Sequence, residues 1–401
     1  MRIVATAILA LAIAGGNVQA QSAKQLENWL KRFPKADLNG DGKLTLEEAQ
    51  EFRKQLRKQP NRDRGDNGGR GAPRSFKVDP GWQQDRFPEH AVSHLSAAEI
   101  KAVYAKKVGA AKAVVSYEPP TDGALRIVGT GHSFMAPGYR TFPLIAKAAG
   151  LIQPLYTHTG GGMTGSTRYK WEQENGIFQF DKKPTPKLLA SIANAKWEAM
   201  MWGPYFNDKP EYYSCWIDFC LKYNPDMKFF LSDAWPQLYQ LGGEIPESED
   251  FFTEQLFDRL GRERTAGYTE LVNTLREKYG RRIFIMPTSD AMVLAAKHKI
   301  RGELPGIDGI HKVVGKKERS LWRDHLGHLG PGFDRLEGYV FYSTIYGRSP
   351  ELIKEPIAFK DKPDFPSPAL DKIFRKIAWA AVSNNPMSGV IDKDGDGIAD
   401  R

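Results

Sequence analysis

The chain has 401 residues, 41% of them hydrophobic and 11% aromatic, and a formal net charge of +9. That length supports one large core or two smaller ones, and beyond the N-terminus no segment approaches the roughly 18 consecutive apolar residues of a membrane span. The charge is local: residues 52–77 carry nine Lys/Arg against two Asp, so the excess describes one segment and not a basic surface.

Residues 1–20 place Arg2 before an apolar run and end in small residues at Ala20. This is the pattern of a secretory signal peptide, so a secreted or periplasmic protein is expected, which disfavours nucleic-acid partners. Residues 21–58 read as helix, loop, helix. In the loop DLNGDGKLTLEE, Asp37, Asn39 and Asp41 supply oxygens at alternate positions. Gly42 takes the sharp turn, Lys43 offers its carbonyl, Thr45 follows, and Glu48 closes the loop as a bidentate carboxylate. The segment resembles an EF-hand across the loop and both flanking helices, which implies a structural calcium ion. Residues 59–80 form a basic linker rich in Gly, Pro and Arg, expected to be a flexible spacer able to rest on an anionic polysaccharide.

Residues 81–385 alternate apolar strands with helical stretches. Strands are predicted at 125–129, 152–157, 197–202, 227–231 and 283–286. Between them, TPKLLASIANA offers Thr185 as a helix N-cap with Pro186 at the first helical position. The only two cysteines, Cys215 and Cys220, fall in YYSCWIDFCLKY, which is apolar nearly all round and predicts a buried helix. Five residues apart on a helix they are too distant for a disulfide, so two free thiols are expected. A long amphipathic helix over 251–280 is expected to break near Gly267, and a helix from Phe333 is expected to end at Gly347. Strands alternating with helices predict an α/β fold with a parallel sheet covered on both faces. The remaining residues, 386–401, contain DKDGDGIAD. There Asp392, Asp394, Asp396 and Asp400 repeat the spacing of a calcium loop, similar to the loops of dockerin-type and thrombospondin-type repeats.

The chemistry-bearing residues follow the strands. Ser133 comes after the first, in GTGHSF. A glycine cluster including Gly162 comes after the second, in HTGGGMTGS. Asn207 comes after the third, in WGPYFND. Asp324 and His328 lie far downstream in LWRDHLGHLGPG, just before a helix. Open α/β sheets place their chemistry where such strand ends emerge. A serine nucleophile needs a base, a group to orient the base and donors for an oxyanion, and these residue types supply all three. In this order they resemble an SGNH (GDSL-type) hydrolase over most of 120–350. The resemblance implies a flavodoxin-like three-layer α/β/α fold and an esterase or carbohydrate O-deacylase. It also implies roles: Ser133 as nucleophile, His328 as base oriented by Asp324, and Gly162 and Asn207 as oxyanion donors.

The chain departs from the family pattern at three places. His132 occupies the usual Asp or Asn position. Gly203 and Asn207 are four apart instead of two. Asp324 and His328 are one residue wider than the family pair, whereas Asp308 and His311 have the family spacing without the downstream context. No organic-cofactor motif is present, and no cofactor is expected for catalysis. A different class of function, a calcium-dependent extracellular binding protein on an inactive hydrolase scaffold, is consistent with those departures.

Overall fold

A computed structural model describes residues 30, 34–45, 47–48, 51–52, 120–159, 165, 168–169, 172, 188–204, 209–236, 245–359 and 365–400. The signal-peptide and linker segments, the Thr185 cap, Gly162 and Asn207 lie outside them. The chain divides into two units, Met1–Gly69 and Arg70–Arg401, with the division inside the basic stretch. In the first unit a short 3-10 turn, Pro34–Ala36, leads into the acidic loop. Ala36 and Leu44 are buried there, with Leu30 and Phe52 packed against them.

In the second unit five strands form a parallel sheet: β1 (Ile127–Gly131), β2 (Leu155–Thr159), β3 (Ala199–Trp202), β4 (Lys228–Ser232) and β5 (Ile283–Met286). Their spatial order is β2-β1-β3-β4-β5, the flavodoxin-like doubly wound order, with its switch point beside β1. Each predicted strand is present, displaced by zero to three residues at either end.

Side chains alternate across the sheet because successive residues of a strand point to opposite faces. Ile127, Ala199, Met201, Phe230 and Met286 enter one core. Val128, Met200, Trp202, Phe229, Leu231 and Ile285 enter the other. Buried on both faces, β1, β3, β4 and β5 read as largely apolar runs, as covered parallel strands do, while the edge strand β2 is half-buried.

The first core is closed by α1 (Ala136–Ala148), α5 (Thr288–Ile300), α7 (Phe333–Tyr346) and α8 (Pro368–Asn384). The second is closed by α2 (Leu188–Asn194), α3 (Pro210–Tyr223) and α4 (Glu254–Tyr279). The result is three layers, helix on sheet on helix. A small parallel pair, β6 (Gly309–His311) and β7 (Ser320–Trp322), follows α5, with the single-turn helix α6 (Lys312–Gly315) between its strands.

Cys215 and Cys220 are buried on α3 as free thiols, and burial pushes both thiol pKa values up. The expected break near Gly267 is absent: α4 runs unbroken for 26 residues. A glycine costs a helix interior about 1 kcal/mol. Here Phe257 and Leu260 before it, and Tyr268, Leu271, Val272 and Leu275 after it, are buried and hold the helix straight through. The helix from Phe333 does end at Gly347, which adopts φ 60°, the left-handed conformation a glycine enters without a Cβ clash. Helix α8 follows it and packs on it. Residues beyond α8 also belong to this unit: Met387 accepts a hydrogen bond through its carbonyl from Ile285 N–H at 3.0 Å, and Val390 enters the first core. Among the described residues no helix is long and apolar enough to cross a membrane.

Candidate active site

β1 ends at Gly131, whose φ of +130° turns the chain out of the sheet. The main chain then folds back on itself: Met135 N–H and Ala136 N–H both donate to His132 O, at 2.9 and 3.2 Å. Ser133 sits at the top of this turn, exposed, just before the N-terminus of α1. Its own N–H donates to no other described residue, so a main-chain donor stands beside the hydroxyl.

The loop joining β7 to α7 approaches from the other side. Trp322 and Leu329 form an isolated antiparallel bridge that closes its base. Arg323 N–H donates to His328 O at 2.9 Å, and Gly327 N–H to Asp324 O at 2.9 Å, with Gly327 at φ 78°. The loop is therefore a tight turn that folds residue 328 back beside residue 324. Asp324 Oδ1 accepts from Leu326 N–H at 3.1 Å and His328 N–H at 3.2 Å. Its Oδ2 lies 2.7 Å from His328 Nδ1. On the far side of the ring, His328 Nε2 lies 2.7 Å from Ser133 Oγ.

These contacts assign protons. A carboxylate accepts, so Nδ1 carries the hydrogen and Nε2 is left as an acceptor for the serine hydroxyl. Burial alone would raise the Asp324 pKa. The His328 side-chain and backbone hydrogen bonds, then the charges of His328 and Arg323, outweigh it and leave the carboxyl below its ordinary value. Asp324 is thus ionised at neutral pH.

The triad loop rests on aromatic rings. Phe134 stands edge-on to His328, with centroids 5.5 Å apart at 89°, and packs on Trp235 at 4.9 Å. Trp235 Nε1–H donates to Gly327 O at 2.6 Å. Trp235 follows β4, so a third strand end supports the base.

Beneath it, Asp233 is fully buried. Its Oδ1 accepts from Ser289 N–H at 2.9 Å and Thr288 Oγ1 at 3.1 Å, at the N-terminus of α5. Burial, reinforced by the Asp290 carboxylate and opposed by Ser289, Arg264 and Thr288, pushes its pKa to about 8. An acid that keeps its proton in the fold but loses it in the unfolded chain above about pH 4 costs stability progressively from pH 4 to pH 8. Asp233→Asn, which keeps the acceptor oxygen, is expected to remove this loss. Thermal melts at pH 5 and pH 8 should show a smaller drop in Tm for the variant than for the parent; an equal drop would contradict the assignment.

The structure places the competing pair elsewhere. His311 is 2% exposed and lies between Phe252 and Trp322, at 6.4 and 6.3 Å between ring centroids. Its Nδ1 accepts from Val313 N–H at 3.2 Å as the N-cap of α6. Burial first, then the neighbouring His325, lowers its pKa to about 4 against Asp324 and Glu249. His158, at the end of β2, pairs with the buried Glu172.

Two acidic loops share one local design. In the first, Asp37 accepts from Gly40 N–H at 2.7 Å and Gly42 N–H at 2.8 Å. Asn39 accepts from Asp41 N–H at 2.9 Å, and Asp41 from Lys43 N–H at 2.8 Å. In the second, Asp392 accepts from Gly395 N–H at 2.9 Å and Gly397 N–H at 3.2 Å. Asp394 accepts from Asp396 N–H at 3.1 Å, and Asp396 from Ile398 N–H at 2.7 Å.

Glu48 closes the first loop, accepting from Asn39 N–H at 3.2 Å and Thr45 N–H at 3.0 Å. The Thr45 hydrogen bonds hold its pKa below the ordinary value. In the second loop, ligand oxygens of Asp392, Asp394 and Asp396 lie within 4.8 Å of one another. Asp400 stands apart from that group, accepting from Lys393 N–H at 2.6 Å. Both donor sets are all oxygen, the chemistry a hard cation such as calcium requires.

No protein-family model and no curated protein matches the chain. Two solved structures are similar at low identity. A DUF4886 family protein from Bacteroides uniformis is 12% identical, with a TM-score of 0.45, covering 65% of this chain and 95% of that one. A chain provisionally named a platelet activating factor, from Streptococcus pneumonia, is 11% identical, with a TM-score of 0.32, covering 62% and 92%. Both likenesses are remote, and the site stands on its own geometry.

Proposed function

We propose that the protein is an exported serine esterase of the SGNH type that removes acyl groups from a carbohydrate or another ester, and that its acidic loops bind calcium. The observation that carries the reading is the unbroken chain Asp324–His328–Ser133, two contacts of 2.7 Å each, at the carboxyl edge of a parallel sheet.

His328 Nε2 takes the Ser133 proton as Oγ attacks the ester carbonyl. The new C–O bond forms as the carbonyl π electrons move to oxygen. Asp324 holds the resulting imidazolium. The Ser133 N–H, with a Gly162 N–H and the Asn207 amide, is proposed to receive the oxyanion. Collapse expels the alcohol, which takes the proton from His328. Water, deprotonated by the same nitrogen, then attacks the acyl carbon; the bond to Oγ breaks, the acid leaves, and Ser133 takes the proton back from His328. No metal enters these steps.

Turnover of a chromogenic acetate ester by the full chain, with Ser133→Ala as the control, tests the reading. A protein that binds calcium but turns over no ester would be the inactive binding scaffold instead.

Calcium is proposed to take the side chains of Asp37, Asn39, Asp41 and Glu48 with the Lys43 carbonyl, and Asp392, Asp394 and Asp396 are proposed as a second site. An isolated extracellular loop of this kind binds with a Kd on the order of 10⁻⁴–10⁻³ M. Glu48→Gln, which removes the closing charge, is expected to abolish the contribution of the first loop to a calorimetric titration. Turnover in EGTA is expected to equal turnover in calcium. An unchanged isotherm, or activity lost on chelation of a folded protein, would contradict these assignments.

A further inference from the structure

The hydrogen-bond ladder between β1 and β3 stops at the pair Gly129–Met201, while β1 stays paired with β2 out to Gly131–Thr159. The nucleophile turn therefore begins where β1 has lost its β3 neighbour. In register, residue 132 would face residue 204. Residue 204 is proline, which has no N–H to offer a ladder, but its carbonyl is available.

His132 reaches that carbonyl with its side chain: Nε2 lies 2.6 Å from Pro204 O. A carbonyl only accepts, so Nε2 carries the hydrogen. In the neutral ring Nδ1 is then an acceptor, and it faces Phe134 N–H at 3.3 Å. Both partners specify the same tautomer.

Two further contacts tie the same strand ends. The Tyr139 hydroxyl lies 2.9 Å from Thr130 O and 2.6 Å from Met201 O. A Cβ built on Gly131 would come within 2.9 Å of Gly203 O, so only glycine permits the approach there.

We propose that His132 is a positioning residue that fixes Ser133 by clamping the nucleophile turn to the chain leaving β3, through an Nε2–H···O hydrogen bond to Pro204. This deepens the esterase reading and rests on it for its kinetic consequences. An aspartate here would set a carboxylate against a carbonyl, acceptor against acceptor. A protonated ring would present a donor to the Phe134 N–H and add a cation beside His328. Burial, with a contribution from His328 and against the Pro204 carbonyl, holds the His132 pKa at about 4, so the ring stays neutral while the base works.

Substitution separates the two ring nitrogens. In His132→Gln the amide Nε2 keeps the donor reach toward Pro204. In His132→Asn, Oδ1 keeps the acceptor toward Phe134, but the amide donor falls a methylene short. With a chromogenic acetate ester and proteins of equal near-UV circular dichroism, His132→Ala and His132→Asn are expected to lose about 10–100-fold in kcat. Their KM should change less than about 3-fold, since a positioning residue acts through Ser133 and not through substrate contacts. His132→Gln should recover to within about 5-fold of the parent. Parent-like kcat in all three variants, or a folded Gln variant as impaired as the Ala variant, would overturn the proposal.

An activity-independent readout accompanies the kinetics. In the full chain labelled with ¹⁵N-histidine, the resonances missing from His132→Asn should show a pyrrole-type Nε2 and a pyridine-type Nδ1 at pH 7. The opposite tautomer or an imidazolium would also overturn it. If the parent turns over no ester, the esterase reading fails, and the tautomer still decides whether the clamp exists.

Discussion

Replacing Ser133 with alanine is expected to lower ester turnover by about 10⁴-fold or more while leaving the fold intact, because the nucleophile is lost and nothing structural is. The Ser133 side chain is exposed, and the hydrogen bonds that shape its turn run from Met135 and Ala136 N–H to His132 O and between the His132 ring, Phe134 N–H and Pro204 O, none of them through the serine side chain. Alanine keeps each of them. Near-UV circular dichroism and Tm should match the parent while kcat collapses. Retained turnover in a folded Ser133→Ala protein would mean that another group does the chemistry.

The second large effect separates two histidines. His328→Ala is expected to cost about 10⁴-fold in kcat, since it removes the group 2.7 Å from the serine oxygen. His311→Ala removes a buried ring that packs between Phe252 and Trp322 and caps a short helix. Its cost should appear in stability, about 2–4 kcal/mol for a large-to-small core substitution, while kcat at equal folded concentration stays near the parent value. Turnover of both variants below their melting temperatures decides the matter. An inactive, folded His311→Ala beside an active His328→Ala would make His311 the base and overturn the assignment of His328.

That contrast marks where the sequence stopped being informative. Spacing favoured Asp308 and His311, whereas the context before a helix favoured Asp324 and His328; the fold adds that His311 faces a core and that the turn at Gly327 carries His328 back over Asp324. The wider Asp–His spacing is the length that this tight turn needs. The strand β2, Leu155–Thr159, is half-buried and mixed in character; β1, β3, β4 and β5 were legible because each carries an apolar run between turns and helices. The three-residue strands β6 and β7 were not, being too short to show a period. Gly267 misled because propensity is local and the burial of Tyr268 and Leu271 is not. His132 was visible only as a departure from a pattern; its partner, Pro204, lies 72 residues away and comes to it through the β1–β3 register. The supporting ring of Trp235 was equally out of reach, since its partner, the Gly327 carbonyl, is 92 residues distant.

The most direct test of the central claim is covalent. A fluorophosphonate reacts with a serine only when a base has activated the hydroxyl and donors stand ready for the phosphoryl oxygen. Incubated with the full-length protein and mapped by mass spectrometry of proteolytic peptides, the label is predicted on Ser133, at one equivalent per chain, and lost in both Ser133→Ala and His328→Ala. A label on any other serine, or undiminished labelling of Ser133 without His328, would contradict the account.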